Sequence, residues 1–237
     1  MSEQLDILIF GAHADDAEIG MAGTIAKHAA AGYRVGICDL TEAELSSNGN
    51  PELRKQEAEA AADVLGLAAR VNLGLPDRGL TGSAEQLAAV TEVIRRFAPR
   101  LVFAPYWEDR HPDHIDCSKL VEAALFNAKL RRYMPDKPAV PAPELYFYFI
   151  NDWKMPDLIV DVSATYEQKE RALRCYRSQF EAGSPGEDVA LTPLNQGYVE
   201  RVKARDSLIG QRSLMLFAEG FMKKTAYPVN LFGSLRT

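Results

Sequence analysis

Between residues 6 and 105, short apolar runs alternate with longer segments that have the periodicity of helices. The apolar runs span residues 6–10, 34–40, 69–73 and 101–105. Runs of this length are typical of buried strands, and their alternation with helices is typical of parallel strands joined by crossovers. The pattern therefore predicts an α/β fold, a Rossmann-like and mostly parallel sheet with helices on both faces.

The helical segments in this part of the chain have recognisable ends. Residues 21–32 and 52–66 each end on a glycine, and residues 83–97 begin with Ser83, a good N-cap. In the second half, residues 145–150 and 158–163 predict strands, and residues 166–180 and 197–210 predict helices. Because no repeat, linker or low-complexity tract interrupts the chain, we expect a single domain over residues 1–237.

The composition argues against several classes of protein. Lysine and arginine number 27 against 33 acidic residues, and the net charge of -6 disfavours nucleic acid as a partner. The first apolar run is too short for a signal peptide or a membrane span. Three widely spaced cysteines form no disulfide framework. We therefore expect a soluble, reduced, cytoplasmic protein with neither a nucleic-acid nor a membrane partner.

Two of the predicted strands are followed by unusual polar loops, "HADD" at residues 13–16 and "HPDH" at residues 111–114. Ligands of open parallel sheets bind beyond the carboxyl ends of the strands, so both loops are expected at one crevice. Imidazole and carboxylate groups are suitable ligands for zinc or a similar divalent metal, which would also lower the cost of clustering acids. The spacing alone does not decide which histidine of "HPDH" binds the metal.

Two other interpretations of these loops are open. An aspartate after a strand also caps the following helix, so "HADD" fits a sugar-binding domain in which the polar residues are only caps. A dinucleotide-binding transferase or dehydrogenase needs a glycine-rich first turn. Neither that turn nor a phosphate-binding P-loop occurs in the sequence.

Five blocks of sequence together resemble one family of enzymes: "AHADDAEIGMAGT", "GICDLTEAELSSNG", "LPDRGL", "FAPYWEDRHPDH" and "TPLNQGYVE". They are similar to the LmbE-like (PIG-L) zinc-dependent N-acetylglucosamine deacetylases. Ala14 and Ala17 depart from the broad A-H-P-D-D-E pattern of that family and resemble its bacillithiol-pathway branch instead. The resemblance implies hydrolysis of the N-acetyl group of N-acetyl-α-D-glucosaminyl L-malate. General deacetylation of N-acetylglucosamine or chitooligosaccharides is the alternative.

The resemblance also implies which residues of the first loop and its partner loop act in the reaction. By position, the metal ligands are His13, Asp16 and His114, and the metal is zinc, with iron(II) as an alternative. Asp15 is the general base. Glu18 is not needed for the chemistry and is expected to hold the loop or cap the helix.

Further roles follow from the same resemblance. His111 and Asp113 match a second catalytic pair in which Asp113 fixes the tautomer of His111, and Tyr198 matches a tyrosine that stabilises the oxyanion. His111 is expected either to protonate the leaving amine or to stabilise the intermediate as an imidazolium, and the alternative is that Asp15 returns the proton itself.

The substrate-binding residues expected are Arg54 and Arg110 for the malate carboxylates, and Ser47 for sugar hydroxyls. Without the resemblance, Arg54 would be interpreted as a surface charge paired with Glu57. Because relatives in this branch form homohexamers, we also expect a homo-oligomer.

Overall fold

The strands of the chain form one sheet, seen in a computed structural model that describes residues 3–183 and 189–226. Seven strands lie within these residues: β1 Ile7–Gly11, β2 Val35–Thr41, β3 Ala69–Leu75, β4 Leu101–Pro105, β5 Glu144–Tyr148, β6 Leu158–Asp161 and β7 Ala218–Met222. Their order in the sheet is β3-β2-β1-β4-β5-β7-β6. Neighbours among β1 to β5 are parallel, whereas β7 pairs antiparallel with β5 and β6. The predicted mostly parallel sheet is confirmed.

Helices cover the sheet on both faces. The described residues contain α1 Asp16–Ala30, α2 Pro51–Leu65, α3 Ala84–Phe97, α4 Pro112–Ala128, α5 Tyr166–Leu173, α6 Arg177–Phe180 and α7 Tyr198–Gln211, with a 3₁₀ turn at Ser163–Thr165. One apolar core joins the sheet to α3 and α4, and a second core joins the opposite face to α1, α5 and α7. The fold is thus a single α/β domain. The predicted domain also includes residues 1–2, 184–188 and 227–237, which lie outside the described residues.

Three elements differ from the prediction. The strand β7 and the helix α4 were not predicted, and the helix expected over residues 166–180 is interrupted between α5 and α6. Helix α4 begins with Pro112 at its first turn, where the missing N–H of proline costs nothing. Strand β7 contains Glu219 and Gly220, which are unusual in a strand, although all five of its residues are buried.

The order of the strands places a crevice at the middle of the sheet. Strand β1 lies between β2 and β4, so the connections after β1 and β4 diverge to opposite faces of the sheet. This is the switch point at which ligands bind in open α/β sheets. The loops that follow these two strands are the "HADD" and "HPDH" loops, as predicted from their position at strand ends.

A buried ionic network fixes α1 to the second half of the chain. The Lys169 Nζ atom lies 2.7 Å from the carboxylates of both Asp206 and Glu219, and all three side chains are fully buried. Glu219 also accepts hydrogen bonds from the backbone N–H groups of Gly23 and Thr24, next to a kink in α1. The network therefore joins α1, α5, α7 and β7. Within the described part of the chain, no helix is long and apolar enough to span a membrane.

Candidate active site

A cleft of about 320 Å³ opens at the carboxyl ends of β1 and β4. Nine of the ten predicted site residues line this cleft: His13, Asp15, Asp16, Ser47, Arg54, Arg110, His111, His114 and Tyr198. The tenth, Asp113, is buried directly behind it, with its carboxylate 3.5 Å from the His13 ring. The sheet topology thus brings together residues that are up to 185 positions apart in the chain.

His13 occupies the turn between β1 and α1, and both of its ring nitrogens face carboxylates. Its Nδ1 atom lies 3.7 Å from Asp16 Oδ2, and its Nε2 atom lies 3.2 Å from Asp77 Oδ1. The backbone N–H of His13 donates to Asp16 at 2.9 Å and holds the turn closed. Burial opposes a charge on the imidazole, but hydrogen bonds to Asp113 and Asp77 and the charge of Asp16 outweigh it and raise the His13 pKa to about 10.

His114, in the first turn of α4, is held in the same manner. Its Nε2 atom lies 3.1 Å from Asp16 Oδ1, and its Nδ1 atom lies 3.0 Å from Asp109 Oδ1. Asp109 is itself fixed by the backbone N–H and the side-chain amide of Asn151. Burial opposes the charge, but Asp16 and Asp109 raise the His114 pKa to about 9. His13 and His114 therefore each direct one nitrogen at Asp16 and the other at a carboxylate.

This donor set fits a divalent cation. Metal-bound histidines typically donate their second N–H to a carboxylate or carbonyl, which fixes the tautomer and the ring orientation. Burial raises the pKa of Asp16, but the two histidines outweigh it and lower that pKa to about 2, so Asp16 is ionised. Two groups of side chains bring one ligand atom each within 4.8 Å of one another: His13 with His111 and His114, and His13 with Asp77 and Asp113. The predicted ligand Asp16 belongs to neither group, because its two oxygens face different histidines, Oδ2 toward His13 and Oδ1 toward His114.

Asp15 has a strained backbone. Its φ is 127° and its ψ is -22°, a conformation that residues other than glycine rarely adopt. Asp15 stands at the N-cap position of α1, but its side chain makes no capping hydrogen bond, so the interpretation of Asp15 as a helix cap is wrong. Burial raises the pKa of its carboxyl to about 6, although the nearby charge of Arg54 opposes the rise.

Arg54 lines the cleft but is buried, with 3% of its surface exposed. One end of its guanidinium donates to the carbonyl of Ala14 at 2.6 Å, and the other lies 3.2 Å from Asp15 Oδ2. The interpretation as a surface pair with Glu57 is wrong, because Arg54 is buried and its guanidinium contacts Asp15 and Ala14, while the Glu57 carboxylate accepts hydrogen bonds from Ser178. Contact between Arg54 and a substrate carboxylate stays a prediction.

His111 and Asp113 do not form the side-chain pair that was expected. The Asp113 carboxylate accepts hydrogen bonds from the backbone N–H and the guanidinium of Arg78, at 2.9 and 2.7 Å. The link between the pair is instead the backbone N–H of Asp113, which donates to His111 Nδ1 at 3.3 Å. This bond still selects the neutral tautomer with its proton on Nε2. Burial and the charges of His114 and His13 lower the pKa of His111.

Tyr198, the first residue of α7, contributes a hydroxyl from the second half of the chain. Its O–H lies 3.0 Å from Asn151 Oδ1 and 3.2 Å from the carbonyl of Ile150. Burial raises the pKa of the phenol, so the hydroxyl stays protonated and able to donate. Since Asn151 also holds Asp109, Tyr198 shares a hydrogen-bond network with His114.

Sequence reasoning missed Asp77, Arg78, Asp109 and Asn151. Asp77 and Arg78 follow β3, so the same rule that identified the loops after β1 and β4 would have found them. Asp109 lies within the polar loop after β4 that had drawn attention to the histidines. Asn151 follows β5, a fourth strand whose carboxyl end reaches the same edge.

The expected role of Glu18 as a structural residue agrees with its contacts. Its buried carboxylate accepts hydrogen bonds from Arg70 at 2.6 Å and from the Tyr176 hydroxyl at 2.8 Å. These bonds connect α1 to β3 and to the segment between α5 and α6. Glu18 does not line the cleft.

A second cavity of about 300 Å³ continues the cleft beyond the histidines. Arg110, Asn151 and Tyr198 line both cavities, and Trp153 and Arg201 line the far part only. Arg110 is exposed and donates to Asn151 Oδ1 at 3.0 Å, and Trp153 exposes 40% of its surface. The far part therefore combines cationic side chains with an accessible indole and with one exposed carboxylate, that of Asp152.

Known proteins and solved structures are similar to this chain over most of its length. Residues 8–125 match the family described as PIG-L, GlcNAc-PI de-N-acetylase. Diacetylchitobiose deacetylase from Thermococcus kodakarensis is 30% identical over 73% of this chain and 70% of its own length. 4-Oxalmesaconate hydratase from Pseudomonas putida is 25% identical over 74% of each chain. The crystal structure of the conserved protein TT1542 from Thermus thermophilus superposes with a TM-score of 0.87 at 37% identity, covering 95% of this chain and 97% of that one. The chain belongs to the PIG-L family.

Proposed function

We propose that this chain is a metal-dependent amidohydrolase that removes the acetyl group from an N-acetylglucosaminyl conjugate. The observation that carries the proposal is the convergence of His13 and His114 on Asp16, with Asp15 beside them in an open cleft. His13, Asp16 and His114 would hold a zinc or iron(II) ion. A bound divalent cation supplies polarisation of the acetyl carbonyl and lowers the pKa of a water at the site.

Asp15 is positioned to act as the general base. Its carboxyl lines the cleft directly beside Asp16, so it can accept a proton from the attacking water. A base with a pKa near 6 is ionised at neutral pH yet basic enough to take that proton. General-base catalysis typically contributes about 10²–10⁴-fold in rate, so replacement of Asp15 should remove most of the activity.

His111 and Tyr198 serve the later part of the reaction. The backbone N–H of Asp113 donates to His111 Nδ1, so the neutral ring keeps its proton on Nε2 and can donate a hydrogen bond to the tetrahedral intermediate, while Asp15 returns the proton taken from water to the departing glucosamine nitrogen. The Tyr198 hydroxyl donates toward the developing oxyanion, for which it exchanges a hydrogen bond now made to Asn151 or Ile150. Loss of one such donor typically lowers kcat by about 10²–10³-fold.

The far part of the cleft would accommodate the group attached to the sugar. Exposed Arg110 favours an anionic group, which supports N-acetyl-α-D-glucosaminyl L-malate as substrate and a role in bacillithiol biosynthesis. The exposed indole of Trp153 suits a second sugar ring, and the similarity to diacetylchitobiose deacetylase supports a neutral chitooligosaccharide as the alternative.

One experiment tests the reaction and the substrate together. Purified protein is assayed for acetate release from N-acetylglucosaminyl malate, diacetylchitobiose and N-acetylglucosamine, and for loss of the ultraviolet absorbance of 4-oxalmesaconate on hydration, with bound metal measured on the same sample. We expect acetate from the amides, fastest from the malate conjugate. Asp15→Asn should retain the metal and lose activity, whereas His13→Ala should lose both. Absence of acetate release from every amide by metal-loaded protein would contradict the proposal.

A further inference from the structure

We propose that Arg54 is a positioning residue for Asp15 rather than a receptor for a substrate carboxylate. The inference rests on the proposed deacetylase function. It starts from the contrast between the two arginines of the cleft, since Arg54 is buried and Arg110 is exposed at the junction with the far cavity.

The contacts of Arg54 hold the loop that carries the base. Its Nη2 atom donates to the carbonyl of Ala14 at 2.6 Å, and its Nη1 atom lies 3.2 Å from Asp15 Oδ2. Two adjacent residues are thus held by the two prongs of one planar, rigid group. The Arg54 guanidinium also lies 5.8 Å from the centre of the Tyr176 ring, which itself is fully buried.

The loop needs such support because its backbone is strained. With a φ of 127°, Asp15 occupies a region that costs an ordinary residue free energy and persists only when the surroundings over-determine it. The Asp15 side chain makes no capping hydrogen bond that would stabilise this conformation from within α1. Contacts from α2, which carries Arg54, supply the restraint instead.

The same contacts leave little for a substrate anion. The two Nη atoms already contact Asp15 and Ala14, and the Nε atom is buried, so a substrate carboxylate could reach Arg54 only beside the Asp15 carboxylate, where the two negative charges would repel each other. Arg110 has no such conflict, because its described hydrogen bond is to the neutral amide of Asn151. Arg54 therefore acts on the rate through the orientation of Asp15.

Steady-state kinetics on an anionic and a neutral substrate separate the two roles. Arg54→Met is compared with Arg110→Met on N-acetylglucosaminyl malate and diacetylchitobiose, and Arg96→Met, a distant surface change on α3, serves as the control. We expect Arg54→Met to lower kcat about 10²-fold on both substrates with KM changed less than threefold, as for misplacement of a catalytic group. Arg110→Met should instead raise KM, and more for the malate conjugate. A rise in KM confined to the malate conjugate in Arg54→Met would overturn the inference.

A double-mutant cycle tests whether Arg54 acts through Asp15. In an Asp15→Asn background, Arg54→Met should cost less than about threefold in kcat, because the group that it positions is no longer a base. A full 10²-fold loss in that background would refute the inference.

A second readout does not depend on turnover. In metal-free protein, the effects of Arg54→Met and Asp15→Asn on the free energy of unfolding should be non-additive, and additive effects would contradict the contact. If Arg54→Met fails to fold, Arg54→Lys, which keeps the charge but not the two-pronged geometry, should lower kcat with little change in KM. Failure of the wild type to release acetate would count against the proposed function, not against the Arg54–Asp15 coupling measured by unfolding.

Discussion

Replacement of Lys169 by methionine tests the buried ionic network that ties α1 to the rest of the fold. Methionine has a similar length and fills the same space, but it leaves the carboxylates of Asp206 and Glu219, each 2.7 Å from the lost Nζ atom, without their shared cation. Removing one partner of a buried ion pair typically costs about 3–5 kcal/mol.

The remaining partners of the two carboxylates place the expected loss at the lower end of this range. Glu219 keeps two backbone N–H donors, and Asp206 keeps Arg205 and the Tyr166 hydroxyl. A loss of about 3 kcal/mol corresponds to a fall in Tm of about 6–12 °C for a chain of this size.

The assay is thermal unfolding followed by circular dichroism, with urea titrations of the same variants. Lys203→Met is the matched control, because Lys203 forms a surface pair with Glu170 at 2.8 Å and its side chain is 47% exposed. Exposed pairs contribute about 0–1 kcal/mol, so the control should unfold close to the wild type. If Lys169→Met unfolds within about 0.5 kcal/mol of the control, the network does not stabilise the fold and our reasoning is wrong.

Three further predictions concern the site and its support. Asp109→Asn removes the charge that faces His114 Nδ1 and should weaken metal affinity about 10–100-fold in chelator competition, whereas Glu108→Gln, a change on its exposed neighbour, should leave the affinity unchanged. Removal of the metal by a chelator should abolish acetate release. It should also lower the free energy of unfolding by about 2.7 kcal/mol relative to protein kept at a free metal concentration of 100 times Kd. An unchanged Tm would argue against a metal at this site. Gly20→Ala places a methyl group against the Tyr148 ring and 2.9 Å from the Phe149 carbonyl, so it should lower the free energy of unfolding in urea by about 1–3 kcal/mol. A variant as stable as the wild type would show that the packing there is looser than described.

The fold class and the location of the site could both be predicted from short local patterns in the sequence. The apolar runs of β1 and β4 and the polar loops after them were enough to predict a crevice at one sheet edge. Helix α4 was also within reach, because Cys117, Leu120, Val121 and Ala124 repeat at helical spacing and are all buried. The polar start of that helix obscured the pattern.

Other features depend on partners that are distant in the chain. Strand β7 is difficult to predict because Glu219 is tolerated there through distant partners, Lys169, 50 residues earlier, and the backbone N–H groups of Gly23 and Thr24. The burial of Arg54 likewise depends on Ala14 and Asp15 in another segment, and helical spacing alone suggested a surface residue. The roles of the site residues in catalysis stay predictions that the variants above can test.

At residue 15, the backbone conformation favours glycine, whereas the proposed reaction requires a carboxylate. A φ of 127° suits glycine, so Asp15→Gly relieves strain worth about 1–3 kcal/mol, but it deletes the proposed base and leaves the buried Arg54 guanidinium without its carboxylate. A library screened only for heat resistance would therefore enrich glycine here only together with a neutral residue at position 54, and the proteins that it returned would be stable but inactive. Engineering of this fold for use at high temperature has to hold residues 15 and 54 fixed and gain its stability elsewhere.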